Sequence, residues 1–285
     1  MKCTFWGVRG SIPVPGPTTA GYGGNTSCIE IHDDDAPSLI LDCGTGVRKL
    51  GGKLMGLPGR EIHILFTHFH MDHLFGIGFF TPVFVPGFHI TVTAPAFHPD
   101  GPRDRLGRFL NGVFHPVRIP DLGARLDFDA VRPGDAFQRG PWNIRGFTLN
   151  HPGGACGYRI DRNGRSTAYI TDTSPLSRPG EGLSGGKPPT SREQALCDFL
   201  RGTDLVIFDT MYTYEQYKRF MTYGHSYPEY AVEVCKHADV KTLCLFHHDT
   251  EASDATLDAL AAKWADHESP RIFLAREGVT VDLEG

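Results

Sequence analysis

The sequence predicts an α/β fold of two packed β-sheets with helices on their outer faces, and three observations carry that reading. Short apolar or alternating runs dominate, and Gly, Pro, Asn or Asp bounds most of them, as strands are usually bounded. Helical periodicities lie between some of these runs. The N-terminal half is mostly strand, whereas strands and helices alternate toward the C-terminus, an order that suits two layered sheets.

Taken in order, the predicted strands fall at 3–6, 27–31, 38–41, 62–66, 89–92, 143–149, 157–160, 166–170, 205–208 and 242–246. Helices are predicted over roughly 45–53, 72–80, 103–110, 192–201, 228–237 and 254–265. The 285 residues are 40% hydrophobic, material for a large core, and no repeat or clear linker divides them. Residues 1–285 are therefore expected to form a single domain. Segment 174–191, which holds Pro175, Pro179, Gly180, Gly182, Gly185, Gly186, Pro188 and Pro189, reads as an exposed loop within it, a lid or a dimer arm.

Charged residues make up 21% of the chain, and apolar residues occur throughout, so the chain is globular rather than disordered. A net charge of -5 argues against a surface built to grip polyanions non-specifically, although it leaves local basic patches open. The seven cysteines, Cys3, Cys28, Cys43, Cys156, Cys197, Cys235 and Cys244, are odd in number and show no CxxC spacing. They are expected as buried or partly buried free thiols in a reducing compartment. The opening Met1-Lys2-Cys3-Thr4-Phe5-Trp6-Gly7 lacks the apolar core of a signal peptide, and about 18 apolar residues never run together. The expectation is a soluble, cytoplasmic protein with no membrane partner.

Chemistry concentrates in Thr67-His68-Phe69-His70-Met71-Asp72-His73, between an apolar strand and a helical pattern. In an extended segment His68 and His70 project from one face. Asp72 and His73 fall at the turn opening the helix, free to face a second centre. Imidazole and carboxylate suit first-row metals, and four such groups within six residues suit a paired site. With 14 histidines in the chain, this pattern arises by chance in roughly one such sequence in several hundred.

Placed after an apolar strand, His68-Phe69-His70-Met71-Asp72-His73 resembles the signature of the metallo-β-lactamase superfamily. The resemblance covers nearly the whole chain. It implies an αββα sandwich, two mixed sheets packed face to face, and three further ligands at strand ends: His151, Asp172, and His247 or its neighbour His248. His68, His70 and His151 would hold one metal, and Asp72, His73 and His247 the second, with Asp172 bridging. The cofactors implied are two zinc ions, with manganese possible. A pair of divalent ions activates water and steadies the oxygens of an in-line displacement, which is hydrolytic machinery.

Two further motifs, Phe208-Asp209-Thr210-Met211-Tyr212 and Tyr223-Gly224-His225-Ser226, resemble the ribonuclease Z branch, as do Phe5-Trp6-Gly7-Val8-Arg9-Gly10-Ser11-Ile12-Pro13 and Tyr22-Gly23-Gly24-Asn25-Thr26-Ser27-Cys28. The branch also contains cyclic phosphodiesterases and cyclic-nucleotide phosphodiesterases of the anti-Pycsar type. By that resemblance Asp72 and His225 are catalytic, His225 as the acid that protonates a leaving alkoxide, and Asp209 orients His225. Arg9 would either add charge for a phosphate or make a strand-end salt bridge.

The sequence departs from the common bacterial ribonuclease Z pattern in two places. Residues 153–171, between His151 and Asp172, are enough for a hairpin but not for a tRNA-binding arm, and His247-His248-Asp249-Thr250 replaces the usual final motif. The acidic balance points the same way. The expected substrate is therefore a small cyclic phosphate ester, foremost a 3′,5′-cyclic nucleotide cleaved to a 5′-monophosphate, with no large nucleic acid as partner. The alternatives are a tRNA 3′-processing nuclease, a thioester, lactone or β-lactam hydrolase, and a non-catalytic metal-binding module. The family further implies a homodimer. Of the aromatic residues near the site, Phe69, Phe75, Phe79, Phe80 and Phe84 are expected mostly in the core, and some of these or of Tyr212, Tyr214 and Tyr217 against a nucleobase.

Overall fold

The computed structural model describes residues 1–97 and 99–283. Its first sheet holds β1 (Lys2–Gly7), β2 (Cys28–His32), β3 (Ser38–Leu41), β4 (Glu61–Leu65), β5 (His89–Pro95) and β6 (Arg125–Val131) side by side, with β14 (Thr280–Asp282) outside β1. The second holds β7 (Ala136–Arg139), β8 (Trp142–Leu149), β9 (Ala155–Arg162), β10 (Arg165–Ile170), β11 (Leu205–Asp209), β12 (Thr242–Phe246) and β13 (Arg271–Leu274), again adjacent in chain order. Each sheet is antiparallel in its earlier strands and parallel later, from β3 to β6 and from β10 to β13.

Side-chain alternation builds three apolar layers from this arrangement. On β12, Cys244 and Phe246 face the first sheet and join Phe5, Ile31, Leu41, Trp142, Tyr158 and Tyr169 in the layer between the sheets. Leu243 and Leu245 face the other way, under α4 (Ser191–Leu200), α6 (Pro228–His237) and α7 (Asp254–Trp264). Ile62 and Ile64 of β4 likewise meet α1 (Val47–Met55) and α3 (Pro102–Phe109) on the outer face of the first sheet. This is the two-sheet α/β architecture that the sequence predicts.

All ten predicted strands are present, and among the described residues the four unpredicted ones, β6, β7, β13 and β14, are the four edges of the two sheets. Edge strands are kept short or charged to discourage further pairing, which erases the apolar pattern. In β6, Asp127 and Asp129 lie on the sequence Arg-Leu-Asp-Phe-Asp-Ala-Val and pair with Arg125 and Arg139.

Three other expectations are corrected. The helix expected over 72–80 is one α-turn, α2 (Met71–Leu74), followed by a 3₁₀ segment, Phe75–Phe79. Gly76 presses there on the 42–46 turn, so closely that a Cβ would lie 2.0 Å from the Gly44 carbonyl oxygen. Helix α5 (Tyr214–Phe220) was not anticipated. Segment 174–191 is pinned rather than free. Leu176 and Leu183 are buried, the Leu176 amide donates to the Tyr230 hydroxyl, and buried Glu193 accepts from Ser177 and Thr190. Within it 178–181, 186–188 and Ser191 are exposed. All seven cysteines are buried free thiols, as expected. Among the described residues no helix is long and apolar enough to cross a membrane.

Candidate functional site

The site lies along one end of the sandwich, where strands of both sheets terminate. In the first sheet the turn after β3 places Asp42 beside the turn after β4. The Thr67 amide and hydroxyl both donate to the Asp42 carboxylate, at 2.8 and 2.9 Å. His73 donates from Nδ1 to the same carboxylate at 2.7 Å, and His68 Nδ1 lies 3.0 Å from the Thr67 hydroxyl. These bonds occupy the Nδ1 atoms and leave Nε2 of His68 and His73 buried without a hydrogen-bond partner. The Ser11 amide donates to Asp72 at 2.8 Å.

In the second sheet, parallel register brings three strand ends level. Ile170 stands opposite Phe208 and Asp209 opposite Phe246, so Asp172, Asp209 and His247 emerge side by side. The His151 turn packs against 224–225, and His151 Nδ1 donates to the Gly224 carbonyl at 2.9 Å. Gly224 has a φ of 91°, and a Cβ there would lie 2.2 Å from that ring nitrogen. Of the six non-glycine residues with positive φ among the described residues, four are at this site: Ser11, Asp42, Asp172 and His247. Such backbone costs about 1–3 kcal/mol per residue and survives only where the surroundings over-determine it.

The two sets of strand ends converge on one double cluster. His68, His70 and His151 form one group, and Asp72, His73, Asp172 and His247 a second, with potential ligand atoms within 4.8 Å of one another in each. Asp172 spans both. Its Oδ2 lies 3.0 Å from His73 Nε2 and 3.3 Å from His247 Nε2, while Oδ1 faces His151 Nε2 at 3.7 Å and His68 Nε2 at 3.9 Å.

The electrostatics suit cations. Burial and neighbouring histidines hold His68 well below the usual imidazole range, and burial lowers His70 and His151, favouring the neutral ring that binds metal. For Asp172 burial acts upward, but His247 and His73 outweigh it and hold the carboxyl far down. The buried Nε2 atoms of His68, His73 and His247 make no hydrogen bond and face the Asp172 carboxylate, a donor set that fits divalent metal ions of the zinc type.

Beside this cluster His225 donates from Nδ1 to Asp209 Oδ2 at 2.9 Å. Asp209 is fully buried and also accepts from the Thr173 and Met211 amides. Burial would lower the His225 pKa, but the Asp209 charge and hydrogen bond outweigh it and raise the pKa to about 9. The His225 ring stands 5.0 Å from that of His247 and 5.5 Å from that of His151, centroid to centroid.

Of the two adjacent histidines, His247 enters the cluster and His248 does not. His248 donates from Nε2 to the Ala275 carbonyl at 2.8 Å and packs edge-on against Tyr22, its pKa pushed down to about 3 by burial. The chain bends at His247, whose φ is 64°, and the two rings part there. Arg9 takes neither expected part. It is fully buried, and its guanidinium donates to the carbonyls of Gly23, Asp249 and Ala252, tying two loops together. The phenylalanines also depart from expectation. Phe80 is in the core, but Phe75, Phe79 and Phe84 are exposed. Asp42 was missed, although it shares with Asp172 and Asp209 the position of an acid at a strand end.

A two-sheet sandwich with a histidine-aspartate cluster at one end defines a metallo-hydrolase class. The Beta-lactamase superfamily domain model matches residues 38–248, and the chain belongs to the metallo-β-lactamase superfamily, in its ribonuclease Z-like branch. Ribonuclease Z of Haloferax volcanii is 24% identical over 97% of this chain and 90% of its own. Among solved structures, the fold is shared with YhfI of Bacillus subtilis (TM-score 0.70, 19% identity, 98% of each chain). It is shared too with a diphosphatase of the PhnP family (0.70, 16%, 99% of this chain and 97% of that one) and the short form of human tRNase Z (0.67, 19%, 99% of each).

Proposed function

We propose that the protein is a binuclear phosphodiesterase that opens a small cyclic phosphate ester, foremost a 3′,5′-cyclic nucleotide, to a 5′-monophosphate. The single observation behind this is the His225–Asp209 pair set against the metal cluster. His68, His70 and His151 would hold one zinc and Asp72, His73 and His247 the other, with Asp172 shared and manganese an alternative. Ions bound there supply Lewis acidity, activating water and neutralising phosphate charge. Asp209 fixes Nδ1 of His225 and leaves Nε2 as the nitrogen that can hold a proton for the substrate. A ribose alkoxide is a poor leaving group and needs that proton, whereas a thiolate does not, so the pair favours phosphodiesters over thioesters.

Against a large RNA stands the connection between His151 and Asp172, which is only the β9–β10 hairpin turning at 163–164. The match to the Haloferax ribonuclease Z runs over 323 positions, more than the 285 residues of this chain, so that relative carries insertions absent here. RNA 3′-processing is the second reading, because several relatives that match over nearly the full chain are ribonucleases Z by name. The test is a panel of 3′,5′-cyclic nucleotides, a cyclic ribose phosphate, bis(p-nitrophenyl) phosphate and pre-tRNA. Turnover of the cyclic esters to 5′-monophosphates is expected, and efficient maturation of pre-tRNA alone would reverse the order. A homodimer in the cytoplasm belongs to the same proposal, and sedimentation tests the dimer.

A further inference from the structure

An aromatic wall runs outward from His225. Tyr212 meets the His225 ring edge-on at 5.6 Å, Phe220 lies 5.7 Å from Tyr212, and Tyr223 lies 5.5 Å from Phe220. Exposure rises along the series, from 7% at Tyr212 through 37% at Phe220 to 62% at Tyr223. The outer two rings are thus held in place yet uncovered. The wall is anchored to the cluster at both ends of its last turn. The Ser174 hydroxyl donates to the Met221 carbonyl, and the Gly224 carbonyl, next to Tyr223, takes the His151 hydrogen bond. Tyr214 and Tyr217, by contrast, pack on Tyr227 as a group of their own, 5.1 and 5.0 Å away.

We infer that Phe220 and Tyr223 form a binding surface for an aromatic ring of the substrate, the base of a nucleotide, and so determine its specificity. This rests on the phosphodiesterase reading above. A group that protonates the departing oxygen stands on the leaving-group side of the phosphorus, so whatever the leaving oxygen carries must extend along the wall beside His225. Partly exposed rings at a site mouth are stacking platforms, and every nucleobase has a face to offer them. Tyr212, nearly buried, sets the angle of the wall against the imidazole.

The test compares adenosine 3′,5′-cyclic phosphate with 1-O-methylribose 3′,5′-cyclic phosphate, which lacks the base. The enzyme is expected to favour the base-bearing ester. Tyr223→Ala and Phe220→Ala should each shrink that preference through KM, together by about 5- to 150-fold, the span of one stacked base, while Tyr223→Phe keeps it. A preference that survives both alanine variants, or an equal fall on the two esters, overturns the inference. Calorimetric titration of the metal-loaded protein with adenosine 5′-monophosphate and with ribose 5-phosphate separates this from the function itself. If neither cyclic ester is turned over, the phosphodiesterase reading fails. Base-dependent binding that is lost in Tyr223→Ala still upholds the wall, and binding indifferent to the base overturns it.

Discussion

The two sheets furnish the site in different ways. The first delivers His68, His70, Asp72 and His73 from a single stretch that runs from the turn after β4 into α2, braced by Asp42 from the neighbouring strand end. The second delivers His151, Asp172, Asp209 and His247 one at a time, each from the end of a different strand, and His225 from the loop before α6. One half is a local motif whose geometry follows from a few consecutive dihedrals. The other exists only because β10, β11 and β12 lie in parallel register, so it is as precise as the sheet is rigid. Asp172 joins the halves, one oxygen toward each group of histidines.

The largest effect should come from breaking that junction. Element analysis of the purified protein is expected to find close to two zinc, or zinc plus manganese, per chain. Asp172→Ala should lower both metal occupancies and cut activity by about 10³-fold or more, because several kcal/mol of charge stabilisation depend on both ions. Asp72→Ala, in the local half, should lose most activity but only part of the metal, since His68, His70 and His151 remain. Metal content at one ion or fewer in the fully active wild type would defeat the binuclear proposal.

His225→Ala follows. Loss of a general acid costs about 10²–10⁴-fold when the leaving group is a ribose alkoxide, and far less for p-nitrophenolate. A steady-state comparison on a 3′,5′-cyclic nucleotide and bis(p-nitrophenyl) phosphate should show that selectivity, more weakly in Asp209→Asn. Equal losses on both substrates would mean that His225 serves metal or structure instead.

Asp42→Asn sharpens the contrast from the first sheet. It touches no substrate and acts through His73 and Thr67, so a 10- to 100-fold loss of metal affinity or activity is expected, read by competition with a chelator. An unchanged affinity would show that the local motif needs no brace.

The smallest effect concerns His63, a β4 histidine outside the site. It is 4% exposed, neither ring nitrogen has a hydrogen-bond partner, and burial lowers its pKa. Its folded pKa lies below the unfolded value of about 6.5, so below that pH the unfolded chain binds more protons and stability falls as pH drops. Urea midpoints at pH 7.5 and 5.5 should therefore differ less in His63→Leu than in the wild type. An equal gap would mean that His63 stays neutral in both states or charged in both.

What the sequence determined by itself is the part with local causes. Alternation and turn residues located every interior strand, and the spacing of His68, His70, Asp72 and His73 located the first half of the site. The resemblance supplied His151, Asp172, His225 and His247, but spacing along the chain held no reason why residues 151, 172, 225 and 247 should meet. Tertiary structure decided the rest. It turned His247 inward and His248 toward Tyr22, a choice between adjacent identical residues that rests on which face of the strand end meets the cluster. It made Arg9 a buried strut and pinned the Pro/Gly-rich segment 174–191 on Glu193 and Tyr230. The edge strands stayed hidden because their polar sequences answer to what lies beside them in space, which no window along the chain contains.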